Sequence, residues 1–170
     1  VLLLDYRGFG ANPGEPTEQG LVLDAQAGYR HLTSTGFDAN QVLFVGESIG
    51  AGVATQLAIT HSPKAMLLRS PFTSLADVVE HRLKLPIGFL VWDQFDSASY
   101  APRVSAPVTV LAGSADTLVP AAQSRKLSKQ FPNLVEYIEI KNAEHNDAQW
   151  FGAALAEHVA ELSRKAETSD

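Results

Sequence analysis

Short apolar runs alternate along the chain with longer stretches in which apolar residues recur every three or four positions. The runs fall at residues 1–5, 42–45, 65–68, 108–112 and Leu134–Ile140, each bounded by turn-forming residues, and they predict strands. Residues 42–45 are apolar throughout, the pattern of a strand covered on both faces. Helical spacing fills the intervals. Leu21, Ala25, Tyr29 and Leu32 share one face, with Thr17 placed to cap the start and Gly36 to stop the end. Ile49–Thr60 reads as a helix of small residues ended by Pro63, Leu75–Leu83 as a short amphipathic piece, and 120–131 as another helix. The last helix places Phe151, Leu155, His158 and Leu162 on one side. Such alternation predicts an α/β fold, a mostly parallel sheet with helices on both faces. Residues 72–103 break the alternation and read as a cap-like insertion within a single domain spanning residues 1–170.

Composition narrows the function classes. Of 170 residues 45% are hydrophobic, enough for one good core, and the net charge of −6 argues against a nucleic-acid partner. With no cysteine, disulfides, thiolate metal sites and cysteine nucleophiles are excluded. LPIGFLVW at 85–92 is the most apolar stretch, and it is far shorter than the ~20 residues a membrane span requires. The sequence opens inside an apolar run at Val1, with neither initiator Met nor a basic start. Any signal or membrane anchor, and with it any membrane association, is expected upstream of that residue. Gly8-Phe9-Gly10 lacks the third glycine of a dinucleotide loop, and no metal cluster is apparent, so no cofactor is expected.

The chemistry concentrates at LFVGESIGAG. Gly46-Glu47-Ser48-Ile49-Gly50 follows an expected strand and precedes an expected helix, the setting of a nucleophile elbow. Glycines two positions either side of the serine avoid collisions at so sharp a turn. The helix start directs free N–H groups at the serine oxygen, with the Ile49 amide as one oxyanion donor. A serine needs a base. Of five histidines, His31 and His61 fall near helix ends, His81 lies in the insertion, and His158 is flanked by Leu155, Val159 and Leu162. His145 alone sits in a loop directly after a strand, KNAEHND, at the carboxyl edge that Ser48 also reaches. The orienting acid is assigned to Asp116 in LAGSADTLVP, after the 108–112 strand. Asp147 is better explained as a cap near the last helix, and Arg69-Ser70-Pro71 after the third strand offers no carboxylate.

With Ser48, Asp116 and His145 in that order, the chain resembles the α/β-hydrolase superfamily. DYRGFG followed by PTEQGLVLDA, then GSADTLVP and EHNDAQW, resembles serine hydrolases named for containing an α/β-hydrolase domain, relatives of serine aminopeptidase-like and lipase-like enzymes. The resemblance implies an α/β-hydrolase fold whose first strands, through strand 3, precede Val1. It places a second oxyanion donor in that upstream part, and it implies that this piece of chain alone is unstable and inactive. The implied activity is cleavage of a small ester or thioester through a Ser–His–Asp triad and an acyl-enzyme. A peptidase or amidase on the same scaffold, or a non-catalytic binding protein, are the alternatives. Phe72, Phe89 and Trp92 are candidates to line or cap an acyl pocket. The competing expectation is that Leu85, Ile87, Phe89, Leu90 and Trp92 pack the insertion onto the sheet.

Overall fold

Two strands carry the middle of the sheet because their sequences are apolar on both faces. The computed structural model describes residues 1–150 and 153–167. In it, β2 (Ala65–Arg69) and β3 (Val108–Gly113) are buried along their whole lengths. Alternate β2 residues serve opposite faces: Met66 and Leu68 join one core cluster, and Ala65 and Leu67 the other. The flanking strands are β1 (Leu43–Glu47) and β4 (Leu134–Ile140), giving a four-stranded sheet in the order β1-β2-β3-β4 with every pairing parallel. A parallel sheet exposes the loops after its strands at one common edge.

Helices cover the two faces unequally. α1 (Glu18–Ser34) packs on α2 (Ile49–Thr60), which packs on β1, and α5 (Ala121–Ser128) covers β3 from the first core cluster. α6 (Ala153–Glu167) packs on β2 from the other face, where Leu162 and Trp150 are buried with Leu67 and Leu111. Thr17 caps α1, its Oγ1 accepting the Gly20 N–H at 3.1 Å. α5 is shorter at both ends than its pattern predicts. Pro120 is the cap rather than the first turn, and Pro132 disfavours helical backbone at Phe131. Phe151, expected on the apolar side of the last helix, lies outside the described residues.

Two strand expectations need correction. Residues 1–5 form no strand. Leu2, Leu3 and Leu4 are exposed, and no strand lies beside them among the described residues to share ladder hydrogen bonds. β1 is covered fully on one face and in part on the other: Val42 and Phe44 are buried in the first cluster and Leu43 packs against the second, while Val45 is half exposed. An apolar run cannot by itself distinguish a two-sided strand from one lying at the edge of the described sheet.

The 72–103 segment departs from the sheet after β2 and folds as α3 (Leu75–Leu83), a 3-10 turn at Gly88–Leu90 and the single-turn α4 (Ser97–Tyr100). It is anchored in the first core by Phe72, Val78, Phe95 and Ala101. Glu18 ties its middle to the scaffold, accepting the Phe95 N–H at 2.9 Å and the Gln56 side-chain amide at 2.6 Å.

Candidate active site

The turn after β1 is built from one strained residue and one obligatory glycine. Ser48 has φ 52° and ψ −118°, a conformation that costs ~1–3 kcal/mol for a residue other than glycine. Backbone bonds hold it there: its N–H donates to the Arg69 carbonyl at 2.9 Å, and its carbonyl accepts the Ala51 N–H at 2.9 Å. The half-buried Ser48 hydroxyl does not cap α2. The Ile49 N–H opens the helix, where amides have no intrahelical acceptor and face the positive dipole end.

The two glycines differ. A Cβ on Gly46 would stand 2.6 Å from the Gly50 carbonyl oxygen and 2.8 Å from Ala51 Cα, so only glycine fits. A Cβ on Gly50 would meet only the Tyr6 hydroxyl, at 3.9 Å, so the expectation that both glycines are sterically required is corrected at Gly50. Gly46→Ala is therefore expected to destabilise by about 1–3 kcal/mol. Gly50→Ala, in open space on a helix, is expected to be neutral or stabilising by up to ~1 kcal/mol. Urea denaturation midpoints check both, and equal losses at the two positions would contradict this account of the turn.

The second part of the site forms where the loops after β3 and β4 interlock. Ser114 N–H donates to the Ile140 carbonyl at 3.0 Å, Asn142 N–H to Ser114 Oγ at 2.8 Å and Ala115 N–H to the Ala143 carbonyl at 3.0 Å. Gly113 permits this approach, because a Cβ there would lie 2.3 Å from the Ala143 oxygen. The interlock brings His145 Nδ1 to 2.7 Å from Asp116 Oδ2, with both residues buried. Asp116 Oδ1 accepts the Val119 N–H at 2.8 Å and the Leu118 N–H at 3.0 Å, and Oδ2 also accepts the Ser70 hydroxyl at 2.9 Å. Burial pushes the Asp116 carboxyl up, but the bonds from His145, Val119 and Ser70, with the charge of His145, hold it below its ordinary value.

The sign of the pH effect follows. A carboxyl depressed by folding adds stability above its unfolded pKa, and that contribution is lost as pH falls through the lower folded value. The wild-type denaturation midpoint is expected to drop below about pH 4, with a flatter profile in Asp116→Asn. Superimposable profiles for the two proteins would contradict the depressed carboxyl.

Ser48 and His145 leave the sheet from opposite ends of the strand order, yet the His145 loop reaches back across it. Arg69, ending β2 beside β1, donates from Nη1 to the His145 carbonyl at 2.7 Å. Ser48 and His145 thus bond to the two ends of one residue. Their side chains do not hydrogen-bond to each other, so of the three candidates only Asp116 and His145 are directly joined. Two surface clefts of about 420 and 460 Å³ lie elsewhere, one beside the Arg7–Asp24 ion pair and one beside Glu18, Gln56 and Tyr100. Among the described residues no group of three or more His, Asp or Glu is placed to hold a metal ion, and no helix is long and apolar enough to cross a membrane.

Comparison with known proteins gives this geometry relatives. The chain is 43% identical over 151 residues to an uncharacterized protein of Mycobacterium tuberculosis, covering 88% of this chain and 54% of that protein. It is 30% identical over 156 residues to alpha/beta hydrolase domain-containing protein 17B of Homo sapiens, covering 91% of this chain and 53% of the relative. Among solved structures it superimposes on a thermophilic esterase from Thermogutta terrifontis with TM-score 0.69 at 19% identity, covering 95% of this chain and 78% of the other. An esterase from Pyrococcus furiosus gives TM-score 0.72 at 24% identity over 95% of this chain and 68% of the other. The chain has the α/β-hydrolase fold, and these relatives support that superfamily for it. No protein-family model matches it. It spans about half the length of the curated relatives it matches.

The remaining candidates of this α/β-hydrolase-fold chain separate clearly. His31 and His81 are exposed on helices, and His158 is half buried on α6. His61 ends α2 with its ring 4.5 Å from that of Tyr29. Asp147 accepts the Gln149 N–H at 3.2 Å, capping the 3-10 turn Ala148–Trp150 ahead of α6. Phe72 is a core residue, 2% exposed, while Phe89 and Trp92 stand 82% and 97% exposed. Leu85 and Leu90 are exposed too, so the 85–92 stretch does not pack onto the sheet. These side chains belong to neither core cluster. Sequence reasoning passed over Arg69 and Ser70, having looked after β2 only for a carboxylate. An arginine directly after an otherwise apolar strand was the available signal.

Proposed function

We propose that the protein is a serine hydrolase that cleaves an ester or thioester through an acyl-enzyme on Ser48. The observation that carries this reading is the buried 2.7 Å Asp116–His145 pair at the sheet edge where Ser48 occupies its strained turn. His145 Nε2 takes the hydroxyl proton as Ser48 Oγ attacks the acyl carbonyl carbon. The resulting oxyanion is stabilised by the Ile49 N–H. Collapse breaks the bond to the alkoxide or thiolate leaving group, which receives the proton held by His145. Water then attacks the acyl-serine as His145 takes its proton, and return of that proton to Ser48 Oγ releases the acid. Asp116, ionised and fixed by two backbone amides, keeps the Nδ1 proton directed toward itself, so that Nε2 is the basic nitrogen, and stabilises the imidazolium. The substrate is a small acyl compound, and the chemistry of the three residues requires no cofactor.

A panel of short- and long-chain p-nitrophenyl esters, thioesters and aminoacyl amides, run on the full-length protein, tests the reading. Turnover of esters or thioesters above amides is expected. Turnover confined to aminoacyl amides would indicate a peptidase, and none with any substrate would indicate a binding protein; either outcome overturns the proposal.

A further inference from the structure

Arg69 is the one charged side chain that ends β2 in the interior, and it is only 2% exposed. Burying a guanidinium is costly, and an apolar residue of similar size would fill such a site at least as well if packing were its only task. Its contacts are specific. Nη1 donates to the main-chain carbonyl of His145 at 2.7 Å. Nη2 lies against the carboxylate of Glu47, the residue preceding Ser48, as an ion pair and makes no hydrogen bond among the described residues. The guanidinium lies 5.0 Å from the centroid of the Trp150 ring. The indole N–H in turn donates to the carbonyl of Glu144, the residue before His145, at 2.6 Å. The Arg69 carbonyl accepts the Ser48 N–H at 2.9 Å.

These five contacts connect the serine turn and the histidine loop, which otherwise leave the sheet from β1 and β4. The hydrogen bond from His145 to Asp116 fixes the ring, but not where the loop carrying it stands relative to Ser48. A planar fork can grip a carbonyl on one arm and a carboxylate on the other while lying over an aromatic face, and a lysine cannot do all three. Burial pulls the Arg69 guanidinium down to about 10, opposed by the charge of Asp116, so it remains a cation at neutral pH.

We infer that Arg69 is a positioning residue, a clamp that sets the distance between Ser48 and His145 by holding the His145 carbonyl and Glu47 on one guanidinium. The inference rests on the hydrolase reading of the same site, but it also has a readout that needs no turnover. Trp150 is the platform of the clamp, and the residue acts through backbone placement without touching substrate.

The test uses Arg69→Met and Arg69→Lys in the full-length protein. Kinetics are expressed per active site titrated with a fluorophosphonate, so that unfolded protein is not counted. Arg69→Met is expected to lower kcat by about 10²-fold with KM within about twofold, the scale of a small misplacement of reacting groups. Arg69→Lys, keeping one donor and the charge, is expected to recover part of that loss. Independently of turnover, the downfield proton resonance of the His145–Asp116 hydrogen bond is expected to shift or broaden in Arg69→Met and to move less in Arg69→Lys. If Arg69→Met does not fold, the same two measurements on Arg69→Lys decide. A wild-type kcat per active site in the folded variant, or an unmoved resonance, overturns the clamp. Absence of turnover in the wild-type protein overturns the hydrolase reading instead, and the resonance still decides the clamp.

Discussion

Replacing Ser48 by alanine is expected to lower ester turnover by roughly 10⁶-fold while leaving the protein folded. The size of the effect follows from the chemistry. No other group in the site forms the covalent acyl intermediate, and His145 without a nucleophile activates only bulk water. The fold should survive, because the hydroxyl makes no cap bond to α2 and the turn is held by backbone contacts to Arg69 and Ala51. Alanine inherits the strained φ of 52°, which the wild-type serine already tolerates. Turnover assays with matched thermal melts check this. Near-normal hydrolysis by the variant would contradict the assignment of Ser48.

Asp116→Asn is expected to follow, with a loss of roughly 10⁴-fold in kcat, the scale known for the corresponding change in a Ser–His–Asp enzyme. Asparagine can keep the bonds from Val119 and Leu118 on its carbonyl oxygen. Its amide then faces His145 Nδ1, where a carboxylate oxygen had accepted, and it donates. The ring must answer by carrying its proton on Nε2, the atom that should accept from Ser48. Ser70, which donates to the same Asp116 oxygen, loses that acceptor and must turn to accept from the amide instead, which adds to the cost. A loss of tenfold or less would mean that Asp116 does not orient the base.

How much of this was legible in the sequence depends on whether a feature is local. Thr17, Ser48, and the spans Ile49–Thr60 and Leu134–Ile140 were readable because caps, elbows and periodic runs are written in neighbouring residues. The common edge of Asp116 and His145 was readable too, since a loop following a parallel strand must emerge there. Exposure was not. Residues 1–5 have the composition of a strand but no partner among the described residues, and Phe89 and Trp92 have the composition of a core but stand in solvent. Arg69 and Ser70 escaped for a related reason. Their importance lies in what the third dimension sets beside them: the peptide of His145 and the carboxylate of Asp116, 76 and 46 residues further along the chain. A scan for acids and bases by position passes over residues that act on other residues' backbones.

The central claim is that Ser48 is the activated nucleophile of this site. Its most direct test is labelling of the full-length protein with a fluorophosphonate, followed by peptide mass spectrometry to locate the adduct. The account predicts one adduct, on Ser48, which is absent in Ser48→Ala and forms far more slowly in Asp116→Asn. An adduct on another residue, or equal labelling rates in wild type and Asp116→Asn, would contradict it.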